Sequence, residues 1–380
     1  TTIETDMSLK CVPTRCFIAK ILAFFYVFLA TMSHEARHLF GLHYRNVLSV
    51  KRTRRIRRLK KPSLYVCGWD VGFNSWVLSV FNDFELKGTL GQNHQANFTR
   101  SDIAVIGQRG PCPVQREWIN QNFQGEIVYV NGEEYGPFYN RGREYVMGNI
   151  GNETNNNSFY FPYGLSVTLW KNPQLMGCIC DPDKKVRSTN KKFLIYSNSH
   201  CVDFREKTFR ELSSIGKVEY GGLCNGGPGI EGNKSNRIEA PVRVSRNKRN
   251  SNPSLYGEYR YCLVMENKQS PGYISEKMVY AYLGGCIPIY YGDKDKIFDL
   301  FNHKSFIFHD VHETGSTLKL LQRISDLETR PEAFERMMRE PVLAHGNETI
   351  KKYLSIYDEY GDGHLKAAMR QFLGLTAVVN

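Results

Sequence analysis

A chain of 380 residues is too long for one small core and suits two domains of ordinary size, and its apolar and aromatic content is that of a globular protein. Its formal net charge of +12 invites a nucleic-acid reading, but eight Lys and Arg between positions 51 and 61 supply most of it and leave the remainder at only +4. A tag of that kind argues against a surface that follows a phosphate backbone and favours a body that holds one anionic ligand.

Near the N-terminus, residues 16–32 form an apolar run interrupted only by Lys20, at the short end for a membrane span. A signal anchor and a cleaved signal peptide are both open, and either sends the rest of the chain into the secretory lumen. The expected organisation is a tail and anchor over 1–33 and a basic stem over 34–61, with the body starting at Pro62. Five Asn-x-Ser/Thr triplets, at Asn97, Asn152, Asn156, Asn233 and Asn347, fit the lumen without proving it.

Within the body, the patterning predicts a strand over 64–69, a helix over 74–84, a strand over 103–106, a helix over 114–123 and a strand over 127–130. This is the alternation of a parallel sheet, and it closes a first domain over 62–170. Residues 148–158 read as a loop, and a Pro- and charge-rich break over 171–191 marks the boundary. The rhythm restarts with a strand over 193–196, a helix over 204–214 and a strand over 218–220, then two more strands over 261–265 and 287–291 with a helix between them. A second domain over 171–345 and a helical C-terminal segment over 346–380 complete the expectation.

No two pairs among the ten cysteines have the spacing of a metal cage. Cys262 and Cys286 fall in apolar runs and read as small core residues, whereas Cys112, Cys178, Cys180, Cys201 and Cys224 have surroundings where disulfides could form. His303, His309 and His312 make no ligand set with carboxylates and read as surface residues.

The chemistry concentrates in 261–292, which reads strand, loop, helix, Gly stop, strand. Ser275 is the expected N-cap, Glu276 suits the first turn, and Gly284 and Gly285 supply the stop. In a βαβ unit this helix start lies beyond the carboxyl ends of the strands, where unpaired N–H groups favour a diphosphate. Lys277 adds a charge there, and Arg205 could reach the same crevice from the preceding helix. An ordinary solvated first turn would also explain Glu276 and Lys277.

Taken together, Glu266-Asn267, Gly272-Tyr-Ile-Ser-Glu-Lys277, Gly285-Cys-Ile-Pro-Ile289, Gly292-Asp293 and Phe301-Asn-His-Lys-Ser-Phe306 resemble the donor-binding signature of the α-1,3-fucosyltransferases, glycosyltransferase family 10. The resemblance extends upstream through Arg205 to Tyr196-Ser-Asn-Ser199 and covers roughly 190–345. It implies a GT-B architecture, two Rossmann-like domains facing a cleft, and inverting transfer of fucose from GDP-fucose to a glycan or glycoprotein acceptor, with O3 of a GlcNAc as the expected hydroxyl. It also implies a type II Golgi membrane protein anchored through 16–32, with no cofactor required. Arg205 and Lys277 would pair with the diphosphate, Tyr273 and Glu276 would contact the nucleotide sugar, and Glu266 and Asn267 would line the pocket.

The family's acidic residue in the first domain lies nearest to Glu153, the candidate general base, with Glu133 and Glu134 as alternatives. The chain departs from the family around these positions. Acceptor and linkage stay open, as do another nucleotide sugar on the same scaffold and a non-catalytic binding relative.

Overall fold

The computed structural model describes residues 62–375 except 69–70, 90–101, 109–118, 120, 134–143, 151–156, 172, 174–175, 178, 180–190, 227–241, 244–254 and 357–360. The expected anchor over 16–32 and the stem lie outside the described residues. Among the described residues no helix is long and apolar enough to cross a membrane.

The first half builds a six-stranded sheet from β1 (Ser63–Cys67), β2 (Glu85–Thr89), β3 (Ile103–Gly107), β4 (Glu126–Asn131), β5 (Glu144–Gly148) and β6 (Ser158–Tyr160), in the order β2-β1-β3-β4-β5-β6. Every pairing is parallel. β1, β3 and β4 carry continuous apolar runs because parallel strands are covered on both faces. β2 was not expected, for a physical reason: Glu85-Leu-Lys-Gly-Thr89 has the charges of an edge strand, with a Lys87–Glu85 ion pair and a half-exposed Leu86. Helix α1 (Val71–Val80) follows β1 and α2 (Tyr163–Lys171) follows β6, and they meet where the Trp76 ring stacks on Phe161 and Phe73 approaches Tyr163.

The second half repeats the plan with β7 (Lys192–Tyr196), α3 (Asp203–Leu212), β8 (Val218–Tyr220), β9 (Val242–Arg243), β10 (Tyr259–Leu263), α4 (Lys277–Gly284), β11 (Ile287–Tyr290), α5 (Lys294–Leu300) and β12 (Ile307–Phe308). Its order, β12-β11-β10-β7-β8-β9, is that of the dinucleotide-binding sheet, 3-2-1-4-5-6. One face packs on α4 and α5 through Ile195, Met278, Ala281, Ile297 and Leu300. The other packs Leu194, Tyr196 and Leu263 on α3, α6 (Ser316–Thr329) and α7 (Pro331–Arg339).

The tail returns to the first sheet. After α8 (Asn347–Tyr353), helix α9 (His364–Phe372) sends the fully buried Arg370 to grip both oxygens of Asp83 at 2.7 and 2.8 Å, with a third bond to the Val80 carbonyl. Phe372 packs on Tyr145 and Phe159.

Cys201 and Cys224 form a disulfide. Cys262 and Cys286 form another, which corrects their reading as free core thiols: β10 and β11 are neighbours, so two cysteines buried between them come within bonding reach. His309 is also corrected, since it follows β12 into the interior at 3% exposure, and burial holds its imidazole down at about 4.

Candidate active site

In a sheet of this order the two halves diverge at β7 and β10, and the crevice outside their carboxyl ends is the ligand-binding position. The loops after β7 and β10 both open onto it, and Arg205 joins them from the first turn of α3. Its fully buried guanidinium donates to the Glu266 carbonyl at 3.0 Å, to Asn267 Oδ1 at 2.6 Å and to the His200 carbonyl at 3.2 Å, with a longer contact to Asn198 Oδ1. A planar fork can serve acceptors on both loops at once, and a point charge cannot. Arg205→Lys is therefore expected to cost about 3 kcal/mol of stability, measured by denaturant titration, because buried acceptors lose their donors.

Glu266, the third residue after β10, is the hub of the next loop. Its carboxylate is completely buried; Oε1 accepts from the Ser275 amide and hydroxyl, both at 2.8 Å, and Oε2 accepts from Lys277 Nζ at 2.9 Å. Lys277 also donates to Ser275 Oγ at 2.9 Å. This changes the expected capping. Ser275 is turned toward Glu266, only a 3.5 Å contact joins its oxygen to the Lys277 amide, and helix α4 begins at Lys277 with Glu276 in the cap position. A buried carboxylate beside an ammonium holds the loop shut against the helix start and fixes where that cation stands. The other end matches expectation: Gly285 takes the left-handed conformation at φ 71°, and Lys191 donates to its carbonyl at 2.7 Å.

Gly272 joins this loop to the first sheet. It has φ +77°, and a Cβ there would stand 2.1 Å from the Ile150 carbonyl oxygen and 3.1 Å from the Tyr160 ring. Its amide donates to Asp293 Oδ2 at 2.5 Å. The next residue, Tyr273, is buried, and the Tyr290 hydroxyl donates to Glu266 Oε1 at 3.4 Å. Burial first, then the Glu266 charge, pushes the Tyr290 phenol well above its ordinary range. Glu276 is half-buried beside Tyr256 and Tyr280; burial raises both phenols, and its charge raises them further.

The structure thus gathers Arg205, Glu266, Asn267, Tyr273, Glu276 and Lys277 at the carboxyl end of the second sheet. Glu153 and Glu134 lie outside the described residues. Glu133 is described: it follows β4 on the carboxyl edge of the first sheet, and its amide donates to Asn131 Oδ1 at 3.1 Å. Asn131 in turn donates to the Asn149 carbonyl at 2.6 Å, one residue from Ile150. Sequence reasoning missed Tyr290, Ile150 and Tyr160, and it quoted Asp293 within the Gly292-Asp293 element of the resemblance without giving it a role. Its position, an Asp between a strand and a helix, also marks it as a helix cap.

Residues 186–339 match the model of the glycosyltransferase family 10 (fucosyltransferase) C-terminal domain. The chain is 27% identical over 161 residues to a protein named as a fucosyltransferase in Acanthamoeba polyphaga mimivirus, covering 42% of this chain and 26% of that protein. It is 36% identical over 94 residues to the alpha-(1,3)-fucosyltransferase FucT of Helicobacter pylori, covering 25% of this chain and 19% of the relative. The chain thus spans about a quarter or less of each of these relatives. A crystal structure of an alpha1,3-fucosyltransferase with GDP superposes with a TM-score of 0.54 at 18% identity, covering 84% of this chain and 93% of that one. That likeness shows the fold, a GT-B-like α/β architecture with two parallel sheets.

Proposed function

We propose that this chain, which carries a glycosyltransferase family 10 domain across residues 186–339, transfers fucose from GDP-fucose to a hydroxyl of a glycan. The observation that carries this reading is the Glu266–Ser275–Lys277 constellation at the start of α4, inside the matched segment and beside the crevice of the second sheet.

The residue types fit the reaction. The acceptor oxygen attacks the anomeric carbon from the face opposite the nucleotide, and the bond from that carbon to the β-phosphate oxygen breaks. Negative charge grows on the departing diphosphate, where the Lys277 ammonium and the positive end of α4 stabilise it. Glu276 and Tyr273 offer polar contacts to the nucleotide sugar, and Arg205 holds Asn267 and the Glu266 backbone in register. The acceptor's proton passes to a carboxylate on the carboxyl edge of the first sheet. Glu133 is the described residue on that edge, and Glu153 is the one the sequence favoured.

The experiment is to incubate the protein with a panel of nucleotide sugars and glycan acceptors and measure nucleotide release. Release with GDP-fucose alone among the donors is expected, and no release with it would sink the reading. Of Glu133→Gln and Glu153→Gln, the substitution at the base should cut turnover about 10²–10⁴-fold, while the other stays near wild type.

The two described disulfides, Cys201–Cys224 and Cys262–Cys286, support placing the body in an oxidising compartment. A type II Golgi membrane protein anchored through residues 16–32 is the reading consistent with them, and transfer to O3 of a GlcNAc is the linkage we propose on the family resemblance.

A further inference from the structure

Asp293 stands between β11 and α5 and uses its two carboxylate oxygens for different tasks. Oδ1 accepts from the amides of Asp295 and Lys296 at 3.1 and 3.4 Å and so caps α5. Oδ2 accepts from the Gly272 amide at 2.5 Å, across to the loop that carries Tyr273. Capping needs one oxygen, and Asn or Ser supplies it as well as Asp does. The second oxygen is surplus to the helix.

What it holds is a residue under constraint from three sides. Gly272 sits at positive φ, and a Cβ added to it would stand 2.1 Å from the carbonyl oxygen of Ile150, just beyond β5, and 3.1 Å from the edge of the Tyr160 ring, so only glycine fits there. Lys296, in the first turn of the helix that Asp293 caps, places its ammonium 4.6 Å from the centre of that Tyr160 ring. Gly272 fixes the direction in which the chain enters Tyr273-Ile-Ser275, and Ser275 is the residue bonded to Glu266.

From this geometry we propose that Asp293 is a positioning residue for the donor-binding loop, holding Gly272 so that Tyr273 and the start of α4 present a preformed site to the nucleotide sugar. This rests on the transferase reading above. Asp293 plays its part in this through the Gly272 amide. A charge-assisted bond to a backbone N–H is the strong kind, so its loss should register in donor binding.

The test uses Asp293→Asn and Asp293→Ser in the full chain. Each keeps one acceptor oxygen for the α5 cap, and neither keeps two. Both variants are expected to melt within about 2 °C of wild type. Both should bind GDP about tenfold more weakly and raise the donor KM by a similar factor, with the acceptor KM unchanged. GDP affinity within twofold of wild type in both variants would overturn the proposal. So would loss of the fold in either, which would make Asp293 a stability residue. Failure of the transferase reading looks different: the wild-type protein itself would bind no GDP.

Discussion

Replacing Glu266 with alanine is expected to destabilise the protein by about 3 kcal/mol and to remove nucleotide binding in the same step. The carboxylate is fully buried and organises the Ser275 amide, the Ser275 hydroxyl, the Lys277 ammonium and, at 3.4 Å, the Tyr290 hydroxyl. Without it, donors that already gave up water lose their acceptor, and the cost is theirs rather than the value of the bonds. Lys277 is 19% exposed on its side chain, so solvent recovers part of its share, which places the estimate at the low end for a broken buried pair. Glu266→Gln should fare little better, because a carboxamide offers one acceptor oxygen where the loop uses two and turns N–H donors toward Ser275 and Lys277. A denaturant midpoint together with GDP affinity checks both effects. A variant that kept wild-type affinity would show that Lys277 needs no fixed position.

Gly272→Ala is expected to reduce kcat/KM by about 10²-fold or more while costing roughly 1–3 kcal/mol of stability. The added methyl meets the Ile150 carbonyl at 2.1 Å, and that obstacle is backbone, which cannot rotate away. The positive φ adds strain that alanine does not relieve by any side-chain motion. Either the donor loop shifts or the edge of the first sheet retreats, and both separate the two sets of reacting groups. Steady-state kinetics with GDP-fucose, beside a thermal melt, distinguishes misalignment from unfolding. Near-normal turnover would mean that the Gly272–Ile150 contact carries no part of the alignment.

The sequence was most legible where strands are buried on both faces. β3, β4, β7 and β11 hold short continuous apolar runs, β10 does so apart from Arg260, and their ranges came out within a residue or two. It was least legible at sheet edges, where β2 is charged and β9 and β12 are two residues each, too short for any period to register. Helix α2 was missed because Leu165, Val167 and Leu169 alternate as a strand would, and only its packing against both α1 and the second core makes that pattern helical. At the site, the strand–loop–helix order located the residues but not their partners. Ser275 looked like a cap because capping is a local rule; Glu266, nine residues earlier, competes for the same hydroxyl and wins through charge. The contact of Ile150 and Tyr160 with Gly272 joins segments more than a hundred residues apart, and nothing local in the sequence announces it.

The most direct measurement is a calorimetric titration of the full chain with GDP, repeated with Lys277→Met, which keeps an unbranched side chain one atom shorter and removes its charge. Saturable GDP binding that weakens by about tenfold or more in the variant is the expected result. No GDP binding by the wild-type protein, or equal affinity in the two, would contradict a diphosphate site at the start of α4.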